Sequence, residues 1–191
     1  MNGDLSVPKP RERILKTASN LFYNYGYRAI GIDRIIAESG VAKMTFYKHF
    51  PSKDDLIAEY LHTATEQFSS WINTVIEGQK TPRKQLEAIF DGIAKIASSA
   101  HCMGCAFSHA AAEFPDVTHP GHAAALEYKN GVLAKLEELA KAMKAKDSQG
   151  LAQDLMMVMD GAWAAARMYG AGNHASRAGK TARVLIAAQV K

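Results

Sequence analysis

Residues 40–53 read GVAKMTFYKHFPSK, a run holding three lysines, a histidine, a threonine, a tyrosine and a methionine. Wound into a helix, Lys43, Met44, Thr45, Tyr47, Lys48 and His49 would share the side turned away from Val41, Phe46 and Phe50. That side offers lysine cations for phosphate oxygens, hydroxyls that donate to phosphates or base edges, and a methionine able to touch a thymine methyl. The competing reading is a plain solvated helix in which Tyr47 and His49 only cover the core.

A second chemically suggestive group is HCMGCAFSHAAAEFPDVTHPGH, residues 101–122. Cys102 and Cys105 stand at a metal-type spacing with His101, His109, His119 and His122 close in sequence, a ligand set that suits zinc. The same two thiols could instead form a redox pair or simply pack. The histidines lack a matching second pair, so no metal site is expected. Haem attachment of the Cys-x-x-Cys-His kind is excluded, because the histidine precedes the pair and Ala106 follows it. Cys105 with His109 could act as nucleophile and base, and Glu113 with Asp116 as paired carboxylates. Nothing in the sequence orients that histidine and no Gly-rich phosphate loop is present, so neither an enzyme nor a cofactor is expected.

Every long segment that must carry these groups reads as helix. Pro10 opens a first helix with Ile14, Ala18, Leu21, Phe22 and Tyr25 on one face up to Gly26. Ile32 to Ser39 forms a second, closed by Gly40, and Ala42 to Phe50 a third, halted by Pro51. Ser52 offers an N-cap to a long fourth helix whose apolar positions run from Leu56 to Val75. Thr81-Pro82 opens the next, to Ala97. A loop-rich stretch with the cysteines follows, then a helix from His119-Pro120-Gly121 to Met143. Ser148 is a candidate cap for a helix from Leu151 to Tyr169, and a last helix runs from Ala175 to Val190. No strand-like alternation or internal repeat is present, so the expected class is all-α.

Composition limits what such a chain does. No apolar run in the 191 residues approaches a bilayer span, and Met1 to Pro10 lacks the basic start and apolar core of a signal peptide. Two cysteines are too few for a secreted disulfide framework. A cytoplasmic protein without membrane contact is the expectation. The net charge of +4 is uneven: through Lys53 nine Lys and Arg face four acids, a balance of +5, so the other 138 residues carry close to −1. A basic amino-terminal module before a near-neutral remainder suggests nucleic-acid binding at one end.

The geometry of the first fifty residues, a helix followed by a Gly-containing turn and another helix, is that of a helix-turn-helix, whose last helix lies in the DNA major groove. The stretch GYRAIGIDRIIAESGVAKMTFYKHFPSKDDLIAEYL resembles the DNA-binding domain of the TetR family of bacterial transcriptional regulators. The marks are Phe22 before Gly26-Tyr27, Ile32 and Ile35 ahead of Gly40-Val41, then Lys43, Thr45, Tyr47, Phe50, Ser52-Lys53 and Leu56. The resemblance implies that Lys43, Thr45, Tyr47, Lys48 and His49 contact operator DNA, and the residues themselves place Met44 on the same face. It also implies that Lys53 at the start of the fourth helix holds a phosphate, as do Arg28 and the Gly31 backbone before the second. Ile30 and Gly31 depart from the usual hydroxyl residues, Ala42 from a common serine and Met44 from a common glycine. The base steps that are read can therefore differ from those of relatives.

The same resemblance implies two domains: residues 1–53 for DNA, and residues 54–191 for a larger helical domain that binds a small effector and pairs two copies. The stretch LAQDLMMVMDGAWAAARMYGAG fits the pairing role, because small residues let helices approach closely and its apolar positions wrap more than one stripe. As a group, Phe68, Trp71, Phe90, Met103, Phe107, Tyr128, Met156, Met159 and Trp163 are the candidate lining for an apolar or aromatic effector, with ordinary core packing the competing reading for any one of them. Residues 101–122 resemble one branch of TetR-like regulators, through Gly104, Cys105, Phe107, Ala111, Ala112, Glu113, Phe114, Pro115, His119 and Pro120. The expected protein is a homodimeric regulator, a repressor released from a palindromic operator by its ligand. The alternative is a metal- or thiol-sensing regulator that uses Cys102 and Cys105.

Overall fold

A computed structural model describes residues 8–190. The expectation about a leader in Met1 to Pro10 falls largely on residues 1–7, outside that range. The described residues contain α-helices and one short 3₁₀ turn, and no strand. Among them, no helix is long and apolar enough to cross a membrane.

The helices are α1 (Pro10–Tyr25), α2 (Ile32–Ser39), α3 (Lys43–His49), α4 (Lys53–Glu77), α5 (Pro82–Ala97), α6 (Ala106–Glu113), α7 (Pro120–Ala142), α8 (Ser148–Tyr169) and α9 (Ala178–Ala188). The local signals explain most of the boundaries. Pro10 and Pro82 occupy first turns, where a missing N–H costs nothing. Thr81 accepts a hydrogen bond from the Lys84 amide at 3.3 Å. Ser52 and Asp55 form a reciprocal box: Ser52 Oγ accepts from the Asp55 amide at 3.1 Å, and the Asp55 carboxylate accepts from the Ser52 amide at 3.0 Å. Gly40 closes α2 at φ +64°, a left-handed conformation that favours glycine.

Three readings of the sequence need correction. The stretch expected to be loop-rich contains α6, an eight-residue helix with Phe107 and Ala110 on its buried side; the glycine and histidines around it mask so short a period. The cap of α8 is Asp147, not Ser148. The Asp147 carboxylate reaches the Gly150 amide at 2.9 Å, and Ser148 is already helical. The last helix is split, with the 3₁₀ turn His174–Arg177 before α9. Buried Asn173 caps the start of the 3₁₀ turn: its side chain accepts from the Ala175 amide and donates to the carbonyls of Ala97 and Gly170.

The chain forms two compact units, each drawn from two stretches. The first comprises residues 1–64 and 107–125, the second residues 65–106 and 126–191. In the first unit Ile14, Ala18, Leu21, Phe22, Ile35, Phe46 and Phe50 make the core that holds α1, α2 and α3, extended by Leu56, Ile57 and Leu61 of α4. Phe22, Tyr27 and Tyr60 form an aromatic cluster that Phe114 joins through Tyr27, with ring centroids 5.4 to 6.1 Å apart. In the second unit α5, α8 and α9 pack on one another. Leu86, Ile89, Phe90 and Ile93 meet a core that includes Leu151, Leu155, Met159, Ala182 and Ile186, all nearly without exposure.

Candidate nucleic-acid interface

The α2–α3 pair is fixed to α1 from two sides. Phe46 and Phe50 sink fully into the core. Across the turn, the Arg13 guanidinium donates from Nε to the Ser39 carbonyl at 3.1 Å, and from one terminal nitrogen to the carbonyls of Ser39 and Gly40. These carbonyls are the unsatisfied acceptors at the end of α2, and a charged fork satisfies several at once. Arg13 carries no signal in the sequence beyond its charge.

With Phe46 inward, the other face of α3 is necessarily outward. Met44 is 87% exposed and Tyr47 42%; Lys43 and Lys48 are exposed, while Thr45 and His49 are half-buried. Tyr47 leans edge-on against Phe46, with centroids 5.4 Å apart. Lys43 lies 3.8 Å from Asp33, with both side chains well exposed, so this pair is weak and breakable. The six α3 residues expected on one face are therefore together at the surface of one helix.

The flanking residues also lie in this unit. Lys53 begins α4, and burial pulls its ammonium below the ordinary lysine value, against the opposing influence of Glu113 and Asp54. Arg28 is exposed, with its guanidinium over the Phe114 ring at 5.6 Å. Gly31 is the N-cap of α2 in an extended conformation, with no side-chain bond to the first turn. The Arg28 backbone amide is occupied within the chain. Glu113 takes it: its carboxylate accepts from the Tyr27 amide at 3.0 Å and the Arg28 amide at 2.7 Å. The approach needs Gly26, where φ is +84° and an added Cβ would stand 2.6 Å from Glu113 Oε1. The Gly26–Tyr27 and Glu-Phe-Pro motifs are both visible in the sequence, but their pairing across 85 residues is not.

The residues expected around an effector separate into groups. Phe68, Trp71 and Tyr128 are mutual neighbours, with Phe68 5.2 Å from Trp71 and 5.5 Å from Tyr128. Burial pushes the Tyr128 phenol far above its ordinary value, so it stays protonated. Phe90, Met159 and Trp163 are buried, and Met103 and Met156 half-buried, in the same unit, whereas Phe107 belongs to the first unit. Cys102 and Cys105 are buried thiols. Among the described residues no group of three or more His, Cys, Asp or Glu side chains is placed to hold a metal ion.

On α8, Met157, Gly161, Ala164 and Met168 are exposed and spaced four, three and four residues apart, which makes one stripe. Beside it, an open groove of about 360 Å³ is lined by Val158, Gly161, Ala162, Ala175, Ala178 and Thr181, with His174 and Arg177 at its polar edge.

The family described as bacterial regulatory proteins, tetR family, matches residues 14–60. The HTH-type transcriptional regulator LmrA of Bacillus subtilis is 34% identical over 85 residues, 44% of this chain and 45% of that protein. The HTH-type transcriptional activator FasR of Mycolicibacterium smegmatis is 33% identical over 87 residues, 44% of this chain and 40% of that protein. The chain thus spans less than half the length of these curated relatives. Among solved structures, a TetR-family transcriptional regulator from Streptomyces coelicolor is 32% identical with a TM-score of 0.85, over 94% of this chain and 93% of that one.

Proposed function

The chain belongs to the TetR family of transcriptional regulators, and from that premise we propose that it is a homodimeric DNA-binding regulator, not an enzyme, which occupies a palindromic operator in the cytoplasm. The observation that carries this reading is the outward face of α3, where Lys43, Met44, Thr45, Tyr47, Lys48 and His49 stand over the buried Phe46 and Phe50. Such a face enters a major groove, with lysines on phosphates and with Tyr47 and Met44 toward the base edges. Arg28 and Lys53 flank it as phosphate contacts, and in the dimer two copies of α3 about 34 to 36 Å apart read the half-sites.

In this reading, residues 54–191 bind the effector and pair the two copies. The exposed α8 stripe with the neighbouring groove is the pairing face, because an apolar stripe of small and flexible residues on one helix suits close contact with its symmetry mate. The effector is small and apolar or aromatic, in keeping with the Phe68, Trp71 and Tyr128 cluster. Its binding favours a state in which the two recognition helices no longer match successive grooves, so DNA affinity falls and transcription is released. FasR is named an activator, which makes the direction of regulation a separate readout.

The test is selection of genomic DNA fragments by the purified protein, with Tyr47→Ala as control, followed by transcription from the selected promoter with and without the protein. Enrichment of a palindrome and lower transcription with the protein present are expected. A folded dimer that enriches nothing would overturn the reading, and higher transcription would replace repressor by activator.

A further inference from the structure

The Glu113-Phe114-Pro115 and His119-Pro120 segment has no place in the reading above, yet it lies wholly within the first compact unit. It touches that unit at several points. Glu113 takes the amides of Tyr27 and Arg28 at the α1–α2 turn. The Phe114 ring lies under the Arg28 guanidinium and 5.8 Å from the Tyr27 ring. His119 stacks flat on Phe114 with centroids 3.9 Å apart. One nitrogen of that histidine, Nδ1, accepts from the Gly121 amide at 3.1 Å, which leaves Nε2 to face Asp54 at 3.5 Å, next to Lys53. His122 donates from Nδ1 to the Phe114 carbonyl at 2.7 Å. Gly121 packs closely on Phe114 and on Ile57 of α4, where an added Cβ would stand 3.2 and 3.3 Å from their side chains.

We propose that Glu113, backed by Phe114 and His119, is a positioning residue for DNA binding: it ties the α1–α2 turn to the start of α4, so that Arg28 and Lys53 meet the duplex backbone together. The proposal rests on the DNA-binding reading given above. Its physical content lies in the sign of one substitution. Glu113 carries a negative charge near two cations that would face phosphates, within the range of about 10 Å over which charges act at 0.1 M salt. By charge alone its removal should tighten DNA binding. If the carboxylate holds the turn, its removal should weaken it, because two backbone donors lose their shared anionic acceptor and an amide in its place turns an N–H toward one of them.

The experiment measures binding of the full chain to a fluorescent mixed-sequence duplex of about three helical turns across a salt series. The variants are Glu113→Gln, Phe114→Leu, Lys53→Ala and Asp116→Asn, each with its melting temperature. Asp116→Asn removes an exposed acid of the same segment, keeps an acceptor for Thr118 and reports the effect of charge alone. We expect Glu113→Gln to bind about tenfold more weakly than wild type. Its salt slope should fall by about 0.9 for each phosphate that the protein no longer neutralises. Glu113→Gln binding as tightly as wild type or Asp116→Asn overturns the proposal, whatever its melting temperature. If Glu113→Gln does not fold, Phe114→Leu decides by the same weakening and slope criteria. A wild-type chain that does not bind the duplex brings down the DNA-binding reading itself, whereas Lys53→Ala binding as well as wild type removes the phosphate role of Lys53 and with it the proposal. With wild type binding and Lys53→Ala weakened, a neutral Glu113→Gln result removes only the role of Glu113.

Discussion

The indole of Trp71 on α4 lies against Gly92 on α5 so closely that a Cβ at residue 92 would stand 2.5 Å from Cζ2 and 3.2 Å from Cη2. Trp71 is rigid and already in contact with Phe68, so it cannot yield by rotating a flexible tip. Gly92→Ala gains about 1 kcal/mol of helix propensity, while overpacking costs about 1 to 3 kcal/mol. A net loss of stability is expected in urea titration, with a shifted Trp71 emission in a Trp163→Phe background. Unchanged stability and emission would show that the two helices separate freely.

For DNA binding, Tyr47→Ala and Lys53→Ala should both weaken operator affinity and leave the fold intact, because neither side chain is part of the main core. Their signatures should differ. Lys53→Ala lowers the dependence of log affinity on log salt by about 0.9, and Tyr47→Ala changes it little. Anisotropy titrations at several salt concentrations check this, and identical slopes for both variants would remove the division into phosphate and base-facing residues.

Gly161 lies on the exposed α8 stripe, and an added Cβ there meets nothing within 4 Å in its own chain. Gly161→Trp should therefore leave the monomer's core undisturbed and block pairing through that face. Analytical ultracentrifugation should show a shift from dimer to monomer, accompanied by loss of affinity for a palindromic site. A dimer of unchanged affinity would place the pairing surface elsewhere.

Glu87 is buried on α5 and accepts from Lys84 at 2.7 Å and Arg83 at 2.9 Å. The Lys84 hydrogen bond, aided by that of Arg83 and opposed by burial, holds its carboxyl below the ordinary glutamate value. The unfolded chain therefore takes up this proton at a higher pH than the folded one does. The stabilisation is complete above the unfolded value and is lost as pH falls through the folded one. In acid denaturation, Glu87→Gln should be less stable than wild type near neutrality and converge with it at the acid end. A constant difference at all pH values would show that the effect is packing alone.

How far the sequence speaks for itself differs by element. The boundaries of α1, α2 and α5 follow from Pro10, Gly40 and the Thr81-Pro82 pair because caps and breakers act within one turn. The outward face of α3 is legible for the same reason, since the positions of Phe46 and Phe50 dictate where Tyr47 points. What stays hidden depends on contacts distant along the chain. Arg13 satisfies carbonyls 26 and 27 positions away, and Glu113 meets amides 85 and 86 positions away. Asp147 displaces Ser148 as a cap for a more local reason: a carboxylate placed one residue earlier competes better for the amide at Gly150.

The first compact unit is assembled from residues 1–64 and 107–125. In engineering terms it is not a cassette. A chimera joined just after residue 64, the natural choice for transplanting DNA specificity onto another regulator, would leave behind the acceptor for Tyr27 and Arg28 and the ring beneath Arg28. The receiving protein would have to supply its own carboxylate at the end of its sixth helix and an aromatic just after it. Exchange of parts between such regulators is then expected to succeed when residues 8–64 and 107–125 travel together as a matched pair of segments.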